Sequence, residues 1–449
     1  MSKFISLGIG VFLMFFSSLI PTPLDPATQQ ILGIFIGALW LWITYSIEVG
    51  SIGALAALCL MPNVTTGAVI SSSFGNTTIW FLVFSMVLTY ALSSSGVLRR
   101  VAIYFIDNPV AKKHPYWFMG CYFAAIMVLG SFMAPTVSFI LFFGLVKEIY
   151  ELLGLKPGDK LARNLMIGTG FFASISCAFT PIAHTFPLMA LGYYETAVGE
   201  AISYAQYMKI SIPAGILIAI VAYVLLIARV DKNSNVSAIA FENSKWTKNE
   251  IISVIVFAAV VVCWMIVGIW PKAFAALNAL GTVWPAMIGV IILAACGILN
   301  IKEAFTKGVA WPAILLCATT LALGKYITAD EYGIISYIGT ALGKVHSSVI
   351  LFVIVAVTII LTNLISNIVT TTVSFNLFVP ALLAAGAPNM AILATILIGF
   401  CASLAYALPS SIAHIALAGS SGWATAKDMA KYGFVLMLIS ILIVGVFVL

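Results

Sequence analysis

The residues of this sequence whose types and spacing could do chemistry are hydroxyl, carboxamide and imidazole side chains, and they occur twice. Residues 136–142 read TVSFILF and residues 372–378 read TVSFNLF, 236 positions apart. A second pair follows in the same order: Ile182-Ala183-His184 after Pro181, and Ile412-Ala413-His414 after Pro409, 230 positions apart. No carboxylate pair at membrane depth, no Gly-rich phosphate loop and no metal-ligand spacing accompanies them. The sequence therefore predicts no enzyme, no cofactor and no pump driven by its own ATP hydrolysis. Polar words at corresponding positions of two hydrophobic halves instead mark the binding site of a secondary transporter.

Such groups can meet a solute at membrane depth only where the helices that carry them are broken. A turn there leaves backbone groups unsatisfied, at several kcal/mol each, unless protein or a water-filled cavity covers it. Residues 130–138 read GSFMAPTVS. Pro135 removes an amide donor and disfavours a helical Ala134, so a re-entrant hairpin is expected near 116–150. Residues 362–374, TNLISNIVTTTVS, carry eight hydroxyl or carboxamide side chains in thirteen positions, and a second hairpin is expected near 347–386. The plainer alternative is that these hydroxyls bond back to carbonyls of their own helix. Downstream, Pro181 and Pro409 fall in mid-span and predict unwound joints beside His184 and His414. Helix starts at such breaks offer free amides and a positive dipole end to a carboxylate. An intramembrane histidine is a functional-site hypothesis by default; its alternative is a neutral imidazole satisfied by neighbouring hydroxyls. His114 and His346 lie among loop charges and are expected to be solvated.

The chain around these words is too apolar for water. Of 449 residues, 62% are hydrophobic and 8% are charged, against about 25% charged in an ordinary soluble domain. An all-helical membrane protein in a lipid bilayer follows. The seven cysteines, from Cys59 to Cys401, lie in apolar stretches without paired spacing and are expected to pack rather than form disulfides or hold zinc. The run from Lys3 to Ile20 is read as a retained first helix, because Pro21-Thr22-Pro23 offers no cleavage site.

Placing the N-terminus in the cytoplasm gives eleven spans near 4–20, 28–47, 49–62, 79–98, 164–192, 205–229, 250–270, 282–300, 309–327, 391–418 and 433–449. The C-terminus then lies outside a bacterial cytoplasmic membrane. Of the 21 Lys and Arg, only Lys209, Lys272, Lys325 and Lys344 fall outside. The net charge of +6 thus reports topology and not a nucleic-acid partner. Residues 99–113 are expected to form an interfacial helix, and the polar stretch 230–249 a cytoplasmic linker. It divides a first repeat, 1–229, from a second, 250–449. An odd number of spans separates the two hairpins, so the repeats are expected to be inverted in topology.

These residues resemble the divalent anion:sodium symporter family, also called the INDY or sodium/dicarboxylate family. Asn76-Thr77-Thr78-Ile79-Trp80, leading to Gly96 and Arg99-Arg100, looks like that family's entry to its first hairpin. Thr180-Pro181-Ile182 matches its first broken helix and Leu408-Pro409 resembles the start of its second. The family's Ser-Asn-Thr hairpin motif is replaced here by Ala134-Pro135-Thr136. In the second hairpin it aligns either with Ser366-Asn367 or, one helical turn on, with Thr370-Thr371-Thr372. The resemblance implies C4–C5 dicarboxylates (succinate, malate, fumarate or 2-oxoglutarate), a moving transport domain against a scaffold, and a homodimer. One carboxylate would be held by Ala134, Pro135, Thr136 and Ser138 with Thr180, Pro181 and His184. The other would meet Ser366, Asn367, Thr370 and Thr371 with Pro409, Ser410 and His414. Histidines where the family has sodium-coordinating loops resemble its exchanger branch, with imidazole charge replacing the ion and no metal expected. The alternatives are sodium held by Thr180, Ser366 and Ser410, a proton-coupled variant, and a channel or structural membrane component.

Overall fold

The computed structural model describes residues 3–232, 234, 236, 237, 239, 241, 245–270, 273–281, 283–327, 329, 332, 333, 346–408 and 411–447. Among them every regular element is helical and none is a strand. The chain opens with α1 (Lys3–Phe16), α2 (Pro26–Thr44), α3 (Ile47–Cys59), α4 (Thr66–Ser72), α5 (Thr77–Ser94) and α6 (Val97–Ile106). Next come α7 (Pro115–Gly130), α8 (Pro135–Leu153), α9 (Lys160–Cys177), α10 (Thr185–Val198) and α11 (Tyr204–Ile227). Then follow α12 (Lys248–Ile269), α13 (Ala275–Ala279), α14 (Val283–Ala295), α15 (Ile301–Glu303) with a π-helical turn at Ala304–Gly308, and α16 (Trp311–Ile327). The last five are α17 (Ser347–Leu364), α18 (Asn367–Ala384), α19 (Pro388–Ala402), α20 (Ala413–Gly419) and α21 (Ala426–Val446).

Six of these helices are long and apolar enough to cross a membrane, and a seventh span results if the pair bent by 70° around residues 309–310 counts as one. Two expected spans differ in kind. The stretches 164–192 and 391–418 are each two helices separated by an unwound joint, at 178–184 and, of the described residues, at 403–408 and 411–412. The expected last span, 433–449, starts earlier, at Ala426. Its first turn carries Lys427 and Asp428, and Thr425 and Asp428 cap it reciprocally. The expected interfacial helix is α6, which buries Val97, Leu98, Ala102, Ile103 and Ile106 and leaves Arg99 outward on Glu148, 2.7 Å away.

The element order of α7–α11 recurs in α17–α21. In each half a helix breaks and a second helix starts 232 residues from its counterpart, at Pro135 and at Asn367. That second helix stops at a left-handed glycine, Gly154 (φ 63°) and its counterpart Gly386 (φ 73°), a backbone region that side chains with a Cβ disfavour. A broken span follows, and then a helix opened by a capping box, Ser203 with Gln206 and Thr425 with Asp428. The two halves interlock. Helix α10 of the first packs on α18 and α19 of the second, and α20 of the second packs on α8 and α9 of the first. Outside this bundle, α1–α3 pack together with α16, and α5 packs with α12 and α14. Among the described residues of the polar stretch 230–249, Val236, Ile239 and Phe241 are buried, and the Phe241 amide donates to Asp107 Oδ2 at 3.2 Å.

Candidate functional site

Each unwound joint is satisfied by side chains of neighbouring helices, which is what makes a break in an apolar span affordable. In the first, the Thr180 hydroxyl donates to the Ser131 carbonyl at the break between α7 and α8. Tyr207 and Ser211 of α11 donate to the carbonyls of Ala178 (2.9 Å) and Phe179 (2.7 Å). Gly130 lets this break approach α9, since a Cβ there would stand 2.0 Å from Ser176 Oγ. In the second joint, Thr362 donates to the Ala402 carbonyl at 2.6 Å. Asn363 makes four bonds. Its amide donates to the carbonyls of Ile359 (2.8 Å) and Leu404 (2.9 Å), and its oxygen accepts from the amides of Tyr406 (2.8 Å) and Ala407 (2.9 Å).

The two histidines cross between the halves. His184 Nδ1 lies 3.0 Å from Ser403 Oγ, and His414 Nε2 lies 2.8 Å from Ser174 Oγ. Ser174 donates its proton to the Ala405 carbonyl (2.7 Å), so His414 Nε2 is the donor and its Nδ1 is a bare acceptor, without a partner. Ser403 also lies 3.2 Å from the Gly399 carbonyl, and His184 Nδ1 lies 3.3 Å from Cys177 Sγ as well. His184 is 7% exposed and His414 fully buried, and no carboxylate faces either ring among the described residues. A charge on either imidazole would be unpaired. This is the hydrogen-bonded neutral surrounding, not that of a fixed cation.

A cavity of ≈ 130 Å³ opens where the first break and first joint meet α5. Ala134 and Val137 line it from the start of α8, Ile182 to Thr185 from the start of α10, and Ser85, Thr89 and Ser93 from α5. Neither α8 nor α10 has a side-chain cap on its first turn, whose amide donors are those of Thr136 and Val137 and of Thr185 and Phe186. Among the described residues, Lys307 is the one cation in the lining and no carboxylate lines it. A larger cavity of ≈ 610 Å³ between α11, α12 and α14 touches neither break.

Of the residues singled out by sequence, Ala134 and His184 line the 130 Å³ cavity. Pro135 opens α8, Thr136 follows it half-buried, and Ser138 is buried with a hydroxyl that lacks a partner. Thr180 and Pro181 form the buried joint. Ser366 precedes Asn367 at the second break, and both polar atoms of the buried Asn367 side chain are unpartnered. Thr370 and Thr371 instead bond back to the carbonyls of Ser366 (3.1 Å) and Asn367 (2.9 Å), as the plainer alternative anticipates. None of the second-break residues lines the 130 Å³ cavity. Pro409 and Ser410 lie outside the described residues. By position relative to the helix starts, Ser366-Asn367 corresponds to Ala134-Pro135, and the TVSF word sits one turn deeper in the second half. Of the residues passed over by sequence reasoning, Ser85, Thr89 and Ser93 carried a signal, the i, i+4 spacing that lines one helix face. His114 caps α7 by accepting from the Tyr116 amide at 3.2 Å.

Two interlocked bundles of broken helices in so apolar a chain define a multi-pass membrane transporter. The chain belongs to the citrate transporter (CitMHS) family, whose model matches residues 38–397. Membership makes it a transporter and not an enzyme. It is similar to the putative malate transporter YflS of Bacillus subtilis, at 26% identity over 89% of this chain and 84% of that protein. It is also similar to the sodium-dependent dicarboxylate transporter SdcS of Staphylococcus saprophyticus, at 25% identity over 92% and 85% of the two chains. The crystal structure of the Alcanivorax borkumensis YdaH transporter shares the fold, with a TM-score of 0.59 and 11% identity over 99% of this chain and 97% of that one.

Proposed function

We propose that the protein carries C4–C5 dicarboxylates such as succinate, malate, fumarate or 2-oxoglutarate across the cytoplasmic membrane by sodium-independent exchange. The observation that carries the reading is the 130 Å³ cavity, lined among the described residues by uncapped helix starts, the hydroxyls of Ser85, Thr89, Tyr90, Ser93 and Thr185 and one lysine, with no carboxylate. Helix starts and a cation attract an anion, and the Glu303 carboxylate that adjoins the lysine stands outside the lining. The names of the malate and dicarboxylate transporters that it resembles support the same substrate class. In this reading residues 1–229 and 250–449 are inverted repeats, and 116–150 and 347–386 are re-entrant hairpins. The bundle of α7–α11 and α17–α21 moves as a body against the other helices of a homodimer.

Sodium-coupled symport is the second reading, favoured by the similarity to a transporter named as sodium-dependent and by the neutral surroundings of both histidines. Vesicles reconstituted with the purified protein separate the two. Exchange requires saturable uptake of labelled succinate in choline buffer, accelerated by internal dicarboxylate. Uptake that needs sodium and ignores internal substrate would replace exchange by symport. Conductance without saturation would make it a channel, and citrate displacing succinate without being displaced by it would move the substrate to tricarboxylates.

A further inference from the structure

The cavity has a wall that no hairpin or broken helix supplies. Ser85, Thr89 and Ser93 stand on one face of α5, rising over about 12 Å along the axis. Thr89 donates to the Ser85 carbonyl at 2.9 Å, whereas the Ser85 hydroxyl, 4% exposed, has no partner although it lines the cavity. A buried hydroxyl left unmade costs stability unless a guest completes it.

At the open end stands Lys307. It belongs to the π-helical turn Ala304–Gly308, which is fixed on α5 at two points. Phe305 meets Phe84 edge-on at 6.3 Å between centroids. Gly308 lies so close to Tyr90 that a Cβ there would stand 2.8 Å from the Tyr90 Cβ. A π-turn inside a helical segment is a recurrent functional feature, and here it brings a cation over the cavity mouth. The ammonium, 68% exposed, bonds Glu303 at 2.9 Å, and Glu303 also bonds the Tyr90 hydroxyl. So exposed a pair contributes little, so an incoming carboxylate can take the lysine from Glu303 at small cost.

We propose that Lys307 forms a carboxylate subsite at the head of this hydroxyl-lined wall, with Ser85, Thr89 and Ser93 lining the way to it, that reads the second carboxylate of the substrate and so selects dianions over monocarboxylates. The inference rests on the dicarboxylate reading above. It places selection on helices outside the interlocked bundle, so the subsite exists only while the cavity faces this wall.

The test uses full-length protein in vesicles, comparing wild type with Lys307→Gln, Lys307→Arg and Ser85→Ala. Lys307→Gln raises the half-saturation concentration for succinate about tenfold while the maximal exchange rate stays within about twofold. Lys307→Arg restores most of the affinity, and Ser85→Ala raises half-saturation about threefold. Inhibition by propionate, which has no second carboxylate, is equal in wild type and the two Lys307 variants. If wild type exchanges succinate and Lys307→Gln leaves half-saturation unchanged, the subsite is wrong while the functional reading stands. A fall in maximal rate alone, or a parallel loss of propionate inhibition, also overturns it. If wild type neither exchanges succinate nor is thermally stabilised by it, the functional reading fails and this inference with it.

Discussion

Asn363 shows how one side chain can make a break in a membrane span possible. Its carboxamide spends all its capacity on the backbone, with donors to Ile359 and Leu404 and an acceptor for Tyr406 and Ala407. Asn363→Ala takes a partner from two amides and two carbonyls in an apolar bundle, a loss of about 3 kcal/mol. Thermal unfolding in detergent should show a clearly lower midpoint, and an unchanged one would mean that water takes over these bonds. Asn363→Asp should do no better, because a carboxyl oxygen would face the carbonyls of Ile359 and Leu404. The crossed histidines invite a different measurement. A double-mutant cycle on Ser174→Ala and His414→Ala should give a coupling of about 1 kcal/mol in stability, since the two are bonded across the halves at 2.8 Å. Simple additivity would mean that the contact does not tie the repeats together.

At the scale of elements, close helix approach is set by a few glycines. Gly433 of α21 faces the second joint, where a Cβ would stand 2.6 Å from Ala407 Cα and from the Tyr406 carbonyl oxygen. Gly399 of α19 faces α10, with Pro187 Cα 2.8 Å from the added atom. Those neighbours are backbone and cannot swing aside, so Gly433→Ala and Gly399→Ala should each destabilise by about 1–3 kcal/mol. Gly144, inside α8, has nothing within 4 Å of an added Cβ. There alanine should stabilise by about 0.5–1 kcal/mol, through helix propensity alone. Comparing the three variants by unfolding temperature checks the packing, and a uniform response would count against it.

At the scale of the whole molecule, the interlock of the halves decides what can move. A body built from α7–α11 and α17–α21 should tolerate a covalent tie within itself. Gly170 and Ala418, on α9 and α20, offer one, because a Cβ on Gly170 would lie 3.5 Å from the Ala418 Cβ, within the range of about 3.5–4.5 Å that disulfides use. In a cysteine-free background, the oxidised Gly170→Cys/Ala418→Cys pair should exchange succinate at the wild-type rate. A bifunctional reagent bridging Thr89→Cys and Ala134→Cys, which line one cavity from α5 and α8, should stop it. Arrest by the first tie or free exchange under the second would refute motion as one body.

What the sequence determined by itself is the part of this protein governed by local chemistry. Its apolar composition dictated a membrane protein, Pro135 a helix start after a break, and Pro181 a joint within a span, because proline withholds a donor wherever it stands. The repeated words announced two related halves. Their spacing of 236 left the register of the breaks open by one turn, because the helix starts lie 232 apart and a sliding match cannot see where a helix begins. Partnership belonged to the tertiary structure. Ser174 finds His414, 240 residues on, and His184 finds Ser403, 219 residues on. Neither serine stands out in the sequence, because a hydroxyl bonded to its own helix and one bonded across the bundle read alike. The cavity wall on α5 and the lysine over its mouth were likewise silent, since only the packing of the π-turn against Tyr90 brings Lys307 to that opening. Broken helices can be read along a chain, but what fills their breaks is chosen by whichever helices the fold brings alongside.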